Sequence, residues 1–126
     1  TKVKAGELRA VMRDEMKPND LSDGPNQGAI LDLCMAMSES LGPAVFEQQS
    51  LAIQDRMDQQ ETLRKVDVPT LILCGEDDSL CPLERHQLMH ELIGGSTLAV
   101  VAGAGHLPTL EQPESTNEAL QQWLKR

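Results

Sequence analysis

Two stretches of this 126-residue chain have the residue types of a chemical site: Gly75-Glu76-Asp77-Asp78 and Gly103-Ala104-Gly105-His106. A carboxylate held against one imidazole nitrogen fixes the tautomer and stabilises the imidazolium. The other nitrogen is then available to take a proton from a nucleophile. Asp78 and His106 are the candidates for acid and base. Asp77 is the neighbouring alternative for the acid, and Glu76 reads as solvated. Asp78 has a plainer role open to it as well, since an aspartate after a strand often satisfies a turn or caps the next helix. Gly103 and Gly105 let the backbone turn tightly beside the histidine, and Glu111 is expected to support the loop that follows. Cys81, three residues after Asp78, is a conceivable nucleophile. His86 and His90 have the i, i+4 spacing of a metal pair but lack a third ligand in the sequence, so they are expected to be surface histidines.

The elements that must position these residues divide near residue 65. Before it the pattern is helical: a helix over 2–17 with Val3, Leu8, Val11, Met12 and Met16 on one side, a second over about 27–41, and a third from Pro43 to about Met57. Turn residues 18–26 separate the first two helices, and Gly42-Pro43 separates the others. Apolar residues cover most of the circumference of the second helix, which is therefore expected to be well buried. Met12, Met16, Met35, Met37 and Met57 gather in this half, as core filler or as a deformable pocket lining. A short helical turn over 60–65 follows.

After residue 65 the order is β-α-β-α. Val68 to Cys74 and Thr97 to Ala102 are continuous apolar runs, as in strands covered on both faces. A helix opens at Pro82 and runs to Leu92, where Gly94-Gly95 stops it. A last helix opens at Pro113, with Leu120, Trp123 and Leu124 expected inward. Strands joined by a crossover helix run parallel, so the two glycine-rich strand ends share one edge, where open parallel sheets form their sites. Two strands alone cannot make a covered parallel sheet, and the chain opens on Thr1. A preceding segment is therefore expected.

The ordered set Val68-Pro69-Thr70-Leu71, Gly75-x-x-Asp78, Pro82, Gly105-His106, Glu111 and Pro113 resembles the C-terminal signature of the α/β-hydrolase family. The resemblance is close over 62–126. Over 1–61 it extends only to the position and composition of a helical cap. It implies an α/β fold class: the C-terminal part of an α/β-hydrolase fold, with a helical cap or lid region at 1–61 and a C-terminal core portion with two parallel strands at 62–126. It implies Asp78 as triad acid and His106 as general base. Family triads run Ser, Asp or Glu, then His along the chain. No Gly-x-Ser-x-Gly occurs here; the nearest approach, Gly94-Gly95-Ser96-Thr97-Leu98, reads as a turn. The implied activity is cofactor-independent hydrolysis of a small, partly apolar ester or lactone, with the nucleophile and oxyanion hole upstream and this chain alone inactive. C–C hydrolysis, dehalogenation, perhydrolysis and a non-catalytic binding role are the alternatives, which the residue at the upstream elbow separates.

Composition narrows the partners. The net charge is −9, which repels phosphate backbones, and no basic stripe or aromatic platform offsets it. Nucleic acid is therefore not expected. No apolar run approaches the roughly 18 to 20 residues needed to span a bilayer, so no membrane partner is expected either. Cys34, Cys74 and Cys81 lack metal-like spacing and read as thiols of a reducing cytoplasm. Neither cofactor nor metal is expected. The expected partners are a small-molecule substrate and, across the exposed sheet edge, the missing N-terminal segment or a second copy.

Overall fold

A computed structural model describes Lys2, residues 6–16 and residues 19–126, without the side chains of Glu15 and Met16. The described chain forms two compact units, Thr1–Asn19 with Pro25–Met57, and Asp20–Gly24 with Asp58–Arg126.

The first unit is helical. Helix α1 spans Leu8–Ala10 and continues as a π-helical stretch, Val11–Met16. The expected helix thus begins later than the sequence pattern suggests; Val3, Lys17 and the Met16 side chain lie outside the described residues. Helix α2 spans Gln27–Gln54 but is two helices joined at Gly42, whose φ of 80° and ψ of 173° are non-helical, with Pro43 opening the second half. Leu8, Val11, Met12 and Met35 form the core, with Phe46 packed against them. Outside this core α2 is less buried than its composition suggested. Leu33, Met37 and Leu41 are 44–56% exposed: a helix that is apolar all round needs neighbours on every side, and within its unit the described residues pack on it from α1 and the π-helical stretch. Met12 and Met35 are core residues; Met37 and Met57 are exposed.

By length and composition alone α2 is long and apolar enough to cross a membrane, contrary to the expectation that no apolar run approaches that length. The break at Gly42 divides it into 27–41 and 43–54. Each part falls short of about 20 residues, and Asp32, Glu39 and Glu47 interrupt them.

The second unit holds helix α3 (Gln60–Leu63), strand β1 (Leu71–Gly75), helix α4 (Leu83–Leu92), strand β2 (Thr97–Val101), helix α5 (Pro108–Glu111) and helix α6 (Pro113–Leu124). The strands pair in parallel, from Leu71 opposite Thr97 to Gly75 opposite Val101, and α4 and α6 pack on both. Strand β1 starts three residues later than expected. Pro69 has no N–H for a ladder, Val68 is 62% exposed, and the Thr70 hydroxyl donates to the Val68 carbonyl at 2.8 Å. Ile72, Cys74, Ile93, Val101 and Ala104 are buried. Coverage of both faces is incomplete: Val100 is 45% exposed, and among the described residues β1 has a strand on one side only.

Helix α5 has no counterpart in the sequence pattern, because four residues are too few to show a period. Helix α6 directs Thr116, Ala119 and Trp123 inward, while Leu120 and Leu124 are exposed. The inward face is thus displaced by about one residue from the expected one, a small rotation that Thr116, buried with its hydroxyl on the Pro108 carbonyl at 3.0 Å, helps to set.

Candidate active site

The parallel register brings the ends of β1 and β2 together, and backbone bonds continue the pairing past the strands. Glu76 N donates to the Val101 carbonyl and Asp77 N to the Ala104 carbonyl, each at 2.9 Å. This approach requires glycine at position 75. A Cβ built there would land on the carbonyl oxygens of Ala104 and Gly105, well inside van der Waals contact. The turn after β1 and the loop after β2 are therefore one continuous surface.

Asp78 lies at the base of that surface, with its side chain 4% exposed. Its Oδ1 accepts backbone N–H bonds from Leu80 at 3.0 Å and Cys81 at 2.8 Å. Its carboxylate also meets His106 Nδ1, Oδ2 at 3.0 Å and Oδ1 at 3.2 Å. The two roles open to Asp78 are thus compatible: one carboxylate closes the turn before α4 and faces the imidazole. A buried carboxylate so held needs no side-chain search to meet its partner. With Nδ1 as the donor, Nε2 is the basic nitrogen, and the ring is 31% exposed.

The other candidates separate. Asp77 turns away and accepts from the Ser22 hydroxyl at 2.7 Å. Glu76 is exposed. His86 Nδ1 lies 3.3 Å from the Pro82 carbonyl and His90 Nδ1 lies 2.7 Å from Ser96 Oγ, so each has its own local partner. Among the described residues no group of three His, Cys, Asp or Glu is placed to hold a metal. Cys81 is half-buried, its backbone N–H engaged by Asp78. Cys74, at the end of β1, is 2% exposed; burial pushes its thiol pKa up, and the Asp78 charge adds to the effect.

Glu111, at the end of α5, gathers three backbone N–H groups. Its Oε1 accepts from Ser22 at 2.7 Å and from Gly105 at 3.0 Å; its Oε2 accepts from Gly105 at 3.0 Å and Leu107 at 2.9 Å. The participation of residues 20–22 was not readable from the sequence. Turn residues around Pro18 and Pro25 mark a break in the helices but carry no sign of where the break packs.

Comparison with known proteins agrees with this architecture. The family described as TAP-like protein matches residues 43–126, more than half of the chain. The pimeloyl-[acyl-carrier protein] methyl ester esterase of Neisseria meningitidis is 34% identical over 68 residues, 54% of this chain and 26% of that protein. The 3-oxoadipate enol-lactonase 2 of Acinetobacter baylyi is 27% identical over 112 residues, 89% of this chain and 35% of that protein. A thermophilic esterase from Thermogutta terrifontis superposes with a TM-score of 0.82 at 29% identity, covering 98% of this chain and 50% of that one. The chain therefore spans between about a quarter and a half of the length of these relatives. The family match, the structural likeness and the α/β architecture agree: this chain is a member of the α/β-hydrolase family.

Proposed function

We propose that this chain is the acid–base half of a serine-type, cofactor-independent hydrolase of small esters or lactones. The reading rests on one observation above all, the buried Asp78 carboxylate on His106 Nδ1. Similarity to an esterase and an enol-lactonase supports the substrate class.

In this reading a serine from a segment of the whole protein outside these 126 residues attacks the substrate carbonyl carbon. His106 Nε2 takes the hydroxyl proton as the C–O bond forms, then delivers it to the departing alkoxide. A water then attacks the acyl carbon, His106 takes its proton, and the serine C–O bond breaks as that proton passes to the serine oxygen, releasing the acid and restoring the hydroxyl. Asp78 remains ionised throughout, holds the Nδ1-protonated tautomer and stabilises the imidazolium. Donors for the oxyanion lie outside the chain as well. The partners are a small-molecule substrate and the segment that carries the nucleophile; neither nucleic acid, membrane, metal nor cofactor has a part, and the location is cytoplasmic.

Assays with a short-chain p-nitrophenyl ester test the proposal. The 126 residues alone should give no hydrolysis above that of their His106→Ala variant. The same residues joined to an upstream segment with Gly-x-Ser-x-Gly should hydrolyse the ester. A large His106-dependent rate from the isolated chain would overturn the assignment of the nucleophile, with Cys81 the first residue to replace.

A further inference from the structure

The peptide groups around His106 are each tied to an acceptor. Three consecutive backbone N–H groups, those of Gly105, His106 and Leu107, all donate to fixed acceptors. Glu111 takes the first and third. The Asp20 carbonyl takes the second, at 2.6 Å. Glu111 Oε1 also takes the N–H of Ser22, and the Ser22 hydroxyl bonds Asp77, next to Asp78. Residues 20–22 thus run as a strap across the histidine loop. The strap lies so close to Gly105 that a Cβ there would sit 2.6 Å from the Asp20 carbonyl oxygen and 2.8 Å from Ser22 N.

Anchoring the amides on both sides of His106, and its own, fixes the direction of its Cα–Cβ bond. The imidazole then has only its side-chain torsions left to adjust, and Asp78 captures it. We propose that Glu111 is a positioning residue for His106, and that it acts together with the strap Asp20–Ser22, which it locks to the histidine loop. The proposal rests on the functional reading of Asp78 and His106. It adds that the imidazole is aimed from residues remote in sequence, with the Glu111 carboxylate joining the Ser22 amide to those of Gly105 and Leu107. Glutamine cannot replace it: an amide offers a single acceptor oxygen, and its NH2 would face an N–H donor.

The test uses the full 126-residue chain labelled with nitrogen-15, in buffer alkaline enough to leave histidines neutral. Ring nitrogen signals of His106 report the tautomer, and hydrogen exchange reports its backbone amide. The native chain should hold the Nδ1-protonated tautomer. Glu111→Gln should mix the tautomers and speed exchange of the His106 amide by about tenfold or more. Ser22→Ala, which removes the hydroxyl that ties the strap to Asp77, should speed that exchange; it decides the matter if Glu111→Gln does not fold. A folded Glu111→Gln with native ring signals and native exchange would overturn the proposal, as would native exchange in Ser22→Ala. Asp78→Asn separates the two claims. If it leaves the ring signals native, the reading of the site itself fails. If it alters them while Glu111→Gln does not, only the positioning role fails.

Discussion

The Asp78 carboxylate serves two masters: its Oδ1 accepts the N–H groups of Leu80 and Cys81, and Oδ1 and Oδ2 together face His106 Nδ1, Oδ2 at 3.0 Å. The two duties are separable by substitution. Asparagine keeps an acceptor for the turn; alanine keeps none. Asp78→Ala should lose about 1–3 kcal/mol of stability through its unsatisfied amides. Asp78→Asn should lose less than about 1 kcal/mol. Chemical denaturation measures both, and equal losses would mean that the turn bonds contribute nothing.

Gly75 offers a sharper test of how the two strand ends meet. With carbonyl oxygens of Ala104 and Gly105 where a Cβ would stand, Gly75→Ala should cost about 1–3 kcal/mol by forcing backbone to shift. Gly28, inside α2 with open space around it, provides the contrast. There Gly28→Ala should be neutral or stabilising by up to about 1 kcal/mol. The urea midpoint should fall for Gly75→Ala and hold or rise for Gly28→Ala.

The Cys74 thiol should be slow to react. Burial, then the Asp78 charge, raises its pKa, so the folded chain keeps this proton to higher pH than the unfolded chain does. The stability linked to it is fully present below the unfolded thiol pKa of about 8.5 and is lost as pH rises through the folded value. Alkylation at pH 8 should therefore modify Cys34 and Cys81 well before Cys74, and Cys74→Ala should flatten the fall in stability above about pH 8.5. Equal labelling of the three thiols would contradict the burial argument.

The open side of β1 leads to an expectation about association. An apolar strand that among the described residues has a strand on one side only, together with exposed Val100, Leu33, Met37 and Leu41, should recruit a partner. Sedimentation of the isolated chain should show species heavier than 13.8 kDa. A monodisperse monomer with a cooperative melt would contradict this.

What the sequence made legible follows from where its signals are strong. The two apolar runs and their glycine-rich ends identified a parallel pair, and chain order put Asp78 and His106 at one edge, as the structure has them. Gly42-Pro43 marked the break in α2 because both residues oppose helix continuation there. Features that depend on long-range packing were not legible. The burial of α2 was overestimated because composition cannot say which neighbours are present. Helix α5 is too short to show a period. The strap at 20–22 is held by backbone groups, which any sequence supplies, and by Glu111, whose role as a support for the loop was readable but whose partner at Ser22, 89 residues away, was not.

In the proposed mechanism Asp78 and His106 work as one proton-transfer unit. The most direct measurement is kcat and KM for a short-chain p-nitrophenyl ester in the whole protein, comparing native, Asp78→Asn, His106→Ala and the double variant. Each single change should lower kcat by about 10³- to 10⁴-fold or more with KM little altered, and the double variant should be scarcely worse than His106→Ala alone. Single variants that keep near-native kcat, or losses that multiply in the double variant, would contradict it.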